Sequence, residues 1–130
     1  MLLLLLGFLF ISQITGCDKE NDDMKTINLT ENDNGSRIEV STGTSIQISL
    51  PENPTTGYRW AIDRMDEGSL TTTAQEYTLG EGSGFGGGGV RRFTFNAIGS
   101  GETILALKNW RDWEGEDSAI DRFQVTIVVE

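Results

Sequence analysis

Residues 44–62 decide the fold and read TSIQISLPENPTTGYRWAI. Apolar and polar side chains alternate on both sides of a short punctuated segment, which is typical of two half-buried β-strands joined by a turn. Pro54 fixes its own φ and lacks a backbone donor, whereas Gly57 can adopt a positive φ at the exit of a tight turn. We therefore expect Thr55 and Thr56 at the tip of this turn. Taken alone, the segment fits an ordinary interstrand turn as well as a binding loop.

Short alternating segments continue through most of the chain. They occupy residues 26–30, 36–40, 70–79, 90–98, 102–107 and 120–129. The dipeptide Asn34-Gly35 predicts a type I′ hairpin turn between the first two of them. No segment carries the apolar stripe of an amphipathic helix over three turns. Seven or eight short strands predict an all-β fold, an immunoglobulin-like antiparallel β-sandwich.

The first 16 residues are apolar and carry no charged side chain. They are too few to span a bilayer, which takes about 20 apolar residues, and are typical of the core of a secretory signal. Ile14-Thr15-Gly16-Cys17 resembles a lipobox, in which the cysteine becomes the lipidated first residue of a mature bacterial lipoprotein. No Lys or Arg precedes the apolar run, and a buried N-terminal strand or helix is the alternative interpretation.

Cys17 is the only cysteine, so no disulfide can form within one chain. The expected organisation is a signal peptide over residues 1–16, a lipidated Cys17 with a polar tether through residue 25, and one domain over 26–130. This organisation predicts an exported bacterial lipoprotein at the periplasmic face or the cell surface. We expect a monomer that reaches the membrane through its N-terminal lipid alone.

Charge and composition exclude several functions. The formal net charge of −10 disfavours nucleic acid and anionic lipid as partners. The chain has no histidine, which removes Ser-His-Asp triads, Cys-His dyads and most catalytic zinc sites. The acidic residues around 112–121 fit a solvated face better than a glycosidase-type carboxylate pair. We expect no enzyme activity, no cofactor and no metal.

Residues 80–89 contain seven glycines. Gly82 to Gly87 formally match G-x-G-x-x-G, but a phosphate loop requires a following helix and a strand is predicted here. Because a glycine run loses much conformational entropy on ordering, the segment fits either a flexible linker or a loop whose backbone approaches a partner closely.

A third unusual segment, residues 108–117, carries two tryptophans and an arginine among acidic side chains. Trp and Arg are the residues most enriched in binding hot spots. Trp110 extends the alternation of the preceding strand, so it is the better candidate for the core. Trp113 lies between Asp112 and Glu114 and is expected to stay exposed.

Three segments, taken in order, resemble the binding loops of the chagasin-like inhibitors of papain-family cysteine peptidases. The family motifs are N-P-T-T-G-[FY], G-x-G-G and R-P-W-x-G, on an immunoglobulin-like sandwich. The matching residues are Asn53, Pro54, Thr55, Thr56, Gly57 and Tyr58, then Gly86, Gly87, Gly88 and Gly89, then Arg111, Asp112, Trp113, Glu114 and Gly115. The resemblance covers the chain from about residue 25 to its end.

The resemblance implies a reversible, non-covalent blocker of a papain-family cysteine peptidase. It implies that Thr55 and Thr56 occupy the catalytic centre and that the glycine segment runs along the substrate groove. Trp113 would pack on aromatic residues of the enzyme, with Arg111 making polar contacts beside it. Asp112 replaces the family proline, which makes that loop less preorganised and adds a charge.

One rival interpretation uses the tryptophans differently. A β-sandwich lipoprotein serving adhesion or carbohydrate binding would stack its ligand on Trp110 and Trp113. This alternative leaves the threonine turn and the glycine segment without a role.

Overall fold

The computed structural model describes residues 25–80 and 88–130, which form eight β-strands in two four-stranded sheets. The strands are β1 (Thr26–Thr30), β2 (Arg37–Val40), β3 (Ser45–Glu52), β4 (Arg59–Arg64), β5 (Leu70–Leu79), β6 (Gly89–Ala97), β7 (Gly101–Trp110) and β8 (Asp121–Val129). Short 3₁₀ turns occupy Glu31–Asp33, Pro54–Thr56 and Glu116–Ser118. The predicted signal peptide (1–16), Cys17 and nearly all of the tether lie outside the described residues, and so do Gly86 and Gly87.

The two sheets face each other across a single apolar core. One sheet has the order β1-β3-β6-β5 and the other β2-β8-β7-β4. Alternate side chains of the central strands are fully buried, as their period of two predicts. They include Ile46, Ile48 and Leu50 of β3, Phe93 and Phe95 of β6, Leu105 and Leu107 of β7, and Val125 and Ile127 of β8. The predicted β-sandwich is therefore confirmed. Across residues 25–80 and 88–130, no helix has the length and apolar character needed to cross a membrane.

The predicted hairpin between the first two strands is wrong. β1 pairs in parallel with β3, and β2 pairs in parallel with β8, so the two strands belong to different sheets. A type I′ turn needs positive φ at both central residues, but Asn34 has φ −55°. Its side-chain oxygen instead accepts a hydrogen bond from the backbone N–H of Gln124 at 2.8 Å. The segment is thereby attached to β8 and redirects the chain from one sheet to the other.

Three connections lie at the same end of the sandwich. β3 ends where β6 begins, because Glu52 pairs with Gly89, and β5 ends beside the same glycine. In the other sheet, the start of β4 pairs with the end of β7, and Asn109 of β7 pairs with Asp121 of β8. Connections 53–58 and 111–120, together with Gly80 and Gly88 at the two ends of the β5–β6 connection, therefore share what we call the loop end.

Candidate functional site

The 53–58 turn is held by its own side chains. The Asn53 side-chain oxygen accepts hydrogen bonds from the backbone N–H of Thr55 at 3.2 Å and from its hydroxyl at 2.6 Å. The Thr56 hydroxyl donates to the Asn53 carbonyl oxygen at 2.8 Å. Pro54 begins the 3₁₀ turn, and Gly57 ends it with φ +88°. Both threonines are exposed at the tip, as the sequence predicts.

A buried carboxylate anchors both ends of this turn. The side chain of Glu52 is completely buried, and its Oε1 accepts the backbone N–H of Trp60 at 2.8 Å. Arg91 donates to the same carboxylate, with Nη2–Oε2 at 2.6 Å and Nε–Oε1 at 3.1 Å. The indole N–H of Trp60 donates to the Pro51 carbonyl oxygen at 2.8 Å. Glu52 thus joins the two strands that flank the turn and ties them to β6.

Glu52 is a functional-site residue that the sequence interpretation missed. The signal was present, because Ile46, Ile48, Leu50 and Glu52 share one strand face at a period of two. An acidic residue on a core-facing position must be paired, since an unpaired buried charge is very costly. That pairing requirement points to a cation from another strand.

The 111–115 loop braces the turn from the other side. Arg111 Nη2 and Nε donate to the carbonyl oxygen of Thr56 at 2.8 and 3.1 Å. Its guanidinium carbon lies 4.3 Å from the ring centroid of Tyr58, within the range of a cation–π contact. Trp113 is 68% exposed, yet a Cβ at Gly57 would lie 2.7 Å from its Cη2 atom. The 53–58 turn and the 111–115 loop therefore form one connected unit.

The described end of the glycine segment leaves little room for a side chain at Gly88 and none at Gly89. Gly80 donates its backbone N–H to the carbonyl oxygen of Gly88 at 3.1 Å, which closes the base of the β5–β6 connection. A Cβ at Gly89 would collide with the carbonyl oxygen of Thr78, and one at Gly88 would lie 3.3 Å from that of Glu52. These two glycines let β6 begin directly beside the turn. The predicted contacts at Gly86 and Gly87 lie outside the described residues.

Two grooves flank the turn. The first, of about 310 Å³, we call the tryptophan groove; its walls include Pro54, Gly57, Tyr58, Ala61, Trp110 and Trp113. The second, of about 510 Å³, we call the glycine groove; its walls include Pro51, Asn53, Thr56, Tyr58, Val90 and Ile120. Residues of the turn contribute to both grooves. The turn is consequently a ridge with a depression on either side, which is the shape needed to enter a cleft.

The prediction that Trp110 is a core residue is wrong. Trp110 is only half-buried and lines the tryptophan groove, where Lys108 Nζ lies 3.6 Å from its ring centroid. Leu105 and Leu107 lie on the core face of β7. Trp110 is an odd number of residues away from both, so it lies on the opposite face of the strand. The core tryptophan is Trp60 of β4, which is 3% exposed.

An ionic network holds the segment that follows Trp113. Lys108 Nζ lies 2.6 Å from Glu116 Oε1 and 3.2 Å from Asp63 Oδ1. Arg122 completes the network with contacts of 2.8 Å to Glu116 and 3.5 Å to Asp63. The hydrogen bond from Lys108 is the main cause that lowers the pKa of Glu116, and the same bond raises the pKa of Lys108. The 116–118 turn is thereby attached to the face of the sheet.

The geometry of the loop end defines a class of protein. It is a β-sandwich with a braced turn at one end, beside the 111–115 loop and the described ends of the glycine segment. The chain belongs to the chagasin family, because the family model described as "Chagasin family peptidase inhibitor I42" matches residues 39–127. It is therefore a peptidase inhibitor rather than an enzyme.

Individual relatives agree with this assignment. Chagasin from Trypanosoma cruzi is 29% identical over 101 residues, which cover 75% of this chain and 92% of chagasin. Amoebiasin-1 from Entamoeba histolytica is 33% identical over 89 residues, covering 67% of this chain and 84% of the relative. The crystal structure of the cysteine protease inhibitor EhICP2 from Entamoeba histolytica has the same fold, with a TM-score of 0.74 at 24% identity, over 82% of this chain and 97% of that one.

Proposed function

We propose that this protein inhibits papain-like cysteine peptidases reversibly and without covalent chemistry, by inserting the 53–58 turn into the active-site cleft. The observation that carries the proposal is the bracing of this turn from both sides. Glu52 holds the base of the turn, and Arg111 of the 111–115 loop holds the Thr56 carbonyl oxygen. A turn ordered before binding loses little conformational entropy in the complex, which favours affinity. Thr55 and Thr56 are the residues we place at the catalytic cysteine.

The peptidase class is supported by the relatives. The structural relative EhICP2 is a cysteine protease inhibitor by its description. The chain itself offers no histidine for catalysis, and a blocker needs none. Trp113, exposed beside the turn, supplies a large apolar surface of the kind that dominates interface energetics.

The conformation of the turn explains why it would block the enzyme and resist cleavage. A peptidase acts on a carbonyl group held at the nucleophile and in the oxyanion hole, which requires an extended substrate segment. Residues 54–56 form a 3₁₀ turn, and the Thr56 carbonyl oxygen is already engaged by Arg111. We infer that the turn occupies the site in an unproductive geometry. Mass spectrometry after incubation with excess peptidase should show no cleavage between Asn53 and Tyr58 at a substrate-like rate.

We also propose a location for the inhibitor. Cys17 at the end of the apolar leader supports a lipid anchor, and residues 18–25 would serve as a tether about 25 Å long when extended. The inhibitor would then act as a monomer at the periplasmic face or the cell surface of a bacterium. Labelling with a radioactive fatty acid, lost in a Cys17→Ser variant, tests the anchor.

An enzyme assay tests the inhibitory function. The full chain is titrated against papain with a fluorogenic peptide substrate at several substrate concentrations. We expect inhibition that is competitive with substrate and reversed on dilution. A folded chain that fails to inhibit at micromolar concentration would contradict the proposal and favour a binding module whose ligand stacks on Trp110 and Trp113.

A further inference from the structure

The loop end concentrates exposed apolar side chains. Among the described residues, five large apolar side chains are exposed, and four of them lie at this end: Leu79, Val90, Trp113 and Ile120. The fifth, Ile98, follows β6 at the opposite end. Single exposed apolar residues are ordinary, whereas a cluster at one end marks an interaction surface. Only Trp113 belongs to the three loop motifs, so the other three require a separate explanation.

Two of these side chains line the glycine groove from different sheets. Val90 belongs to the start of β6, and Ile120 immediately precedes β8 in the other sheet. The backbone N–H of Ile120 donates to the Asn109 carbonyl oxygen at 2.8 Å, which fixes its position. Its side chain is nevertheless 60% exposed. The isoleucine is therefore held in place without being covered by the described part of the chain.

The two sides of the turn differ in charge. The lining of the tryptophan groove contains Arg59 and Asp112, and Glu114 beside Trp113 pairs with Arg111, so this side of the turn carries charges of both signs. Among the described residues that line the glycine groove, the only charged one is Glu52, and its carboxylate is buried in the ion pair with Arg91. The described residues of the glycine groove consequently offer an occupant an uncharged, largely apolar surface.

We propose that the glycine groove is an additional contact surface for the target peptidase, in which Val90 and Ile120 receive an apolar side chain from one wall of the enzyme cleft. This inference depends on the proposed function. Asn53 and Thr56 belong to the inserted turn and also line the groove. A cleft that admits the turn must therefore place one of its walls directly over the groove. The contact with Ile120 extends the binding surface beyond the three loop motifs.

A matched pair of substitutions tests this contact. Ile120→Ser and Ile98→Ser change the same residue type at similar exposure, 60% and 49%, at opposite ends of the sandwich. In the full chain, Ile120→Ser should raise the inhibition constant for a susceptible papain-like peptidase about tenfold, which is typical for truncating an apolar side chain buried in an interface. Ile98→Ser should change it by less than about twofold, within the range expected for a residue outside the interface. Both variants should keep the thermal midpoint of the parent.

The alternative outcomes separate the two proposals. If the parent inhibits and Ile120→Ser inhibits equally well, the groove contact is overturned while the inhibitory function stands. If the parent inhibits no papain-like peptidase, both proposals fail. Sedimentation velocity tests whether a second copy of this chain, rather than the peptidase, occupies the groove. A parent dimer that Ile120→Ser converts to a monomer without changing the inhibition constant would also overturn the groove contact.

Discussion

Arg111 donates two hydrogen bonds to the carbonyl oxygen of Thr56, from Nη2 at 2.8 Å and from Nε at 3.1 Å. The two residues belong to different loops, 55 positions apart in the sequence. Family resemblance implies that this arginine makes polar contacts beside Trp113, but in the free inhibitor its guanidinium is already directed at the turn. Arg111 is therefore a positioning residue for the turn.

This relationship gives the first prediction. Arg111→Lys keeps the charge but cannot reproduce the two-nitrogen contact, because an ammonium group lacks the planar guanidinium fork. Inhibition of papain should weaken by about tenfold, equivalent to about 1.4 kcal/mol. Arg37→Lys, at an exposed arginine paired with Glu102, is the control and should inhibit like the parent. Equal inhibition by the Arg111 and Arg37 variants would contradict the positioning role.

A second prediction concerns Gly57, which has φ +88° and lies against Trp113. Gly57→Ala adds strain from the left-handed conformation, about 1 kcal/mol, and drives a methyl group into the indole ring. Gly43→Ala introduces the same kind of strain at φ +99°, with no atom within 4 Å of the new carbon. We expect both variants to lose stability in urea unfolding, but only Gly57→Ala to lose inhibition of papain. Loss of inhibition in both would show that strain alone is responsible.

A third prediction concerns the buried ion pair at the base of the turn. Glu52→Gln retains an acceptor for the Trp60 N–H but leaves Arg91, whose side chain is 15% exposed, without a carboxylate. Breaking one side of a buried pair should lower the free energy of unfolding by about 3 kcal/mol. Glu102→Gln breaks the exposed pair with Arg37 and should cost less than about 1 kcal/mol. Urea titrations of the two variants compare these costs, and similar values would refute the anchoring role of Glu52.

A fourth prediction follows from the ionic network around Glu116. The hydrogen bond from Lys108, followed by that from Arg122, lowers the pKa of Glu116 below its ordinary value of 4.5. A carboxyl group with a lowered pKa in the folded state stabilises the fold above about pH 4.5, and this contribution disappears as the pH falls through the folded-state pKa. The raised pKa of Lys108 acts oppositely, since its contribution is complete below pH 10.5 and is lost as the pH rises further.

Glu116→Gln should therefore show a smaller loss of stability than the parent when the pH falls from neutrality to about 3. Urea unfolding at several pH values measures this difference. Parallel pH curves for the variant and the parent would show that the network does not contribute to folding. The variant should also loosen the 116–118 turn, which hydrogen–deuterium exchange at Ser118 and Ala119 can detect.

Local sequence chemistry was sufficient to predict the turn. Pro54 and Gly57 fix their own backbone geometry, so the exposed threonines between them follow from residues within the same segment. The alternation in residues 44–50 likewise puts Ile46 and Leu50 on one strand face, and that face is buried in the structure. These features depend on residues within the same segment, so they can be predicted from the sequence alone.

The features that were missed depend on distant residues. The pairing of β1 with β3 and of β2 with β8 is parallel and brings together strands that are not consecutive, so the local Asn34-Gly35 signal was misleading. Glu52 pairs with Arg91, which lies 39 positions further along the sequence. Packing against the opposite sheet decides which face of β7 is buried. This long-range effect explains the wrong placement of Trp110. The family resemblance, by contrast, implies loops at one end of the sandwich, and the described residues place the 53–58 turn beside the 111–115 loop.

The central claim is that the 53–58 turn covers the catalytic cysteine of the peptidase. Protection of that thiol tests it most directly: papain is mixed with increasing amounts of the full chain, and iodoacetamide is then added in a short pulse. Alkylation of the catalytic cysteine should fall in proportion to added inhibitor and stop at one inhibitor per enzyme. A complex that forms with the same stoichiometry while the cysteine is alkylated at the rate of free papain would contradict it.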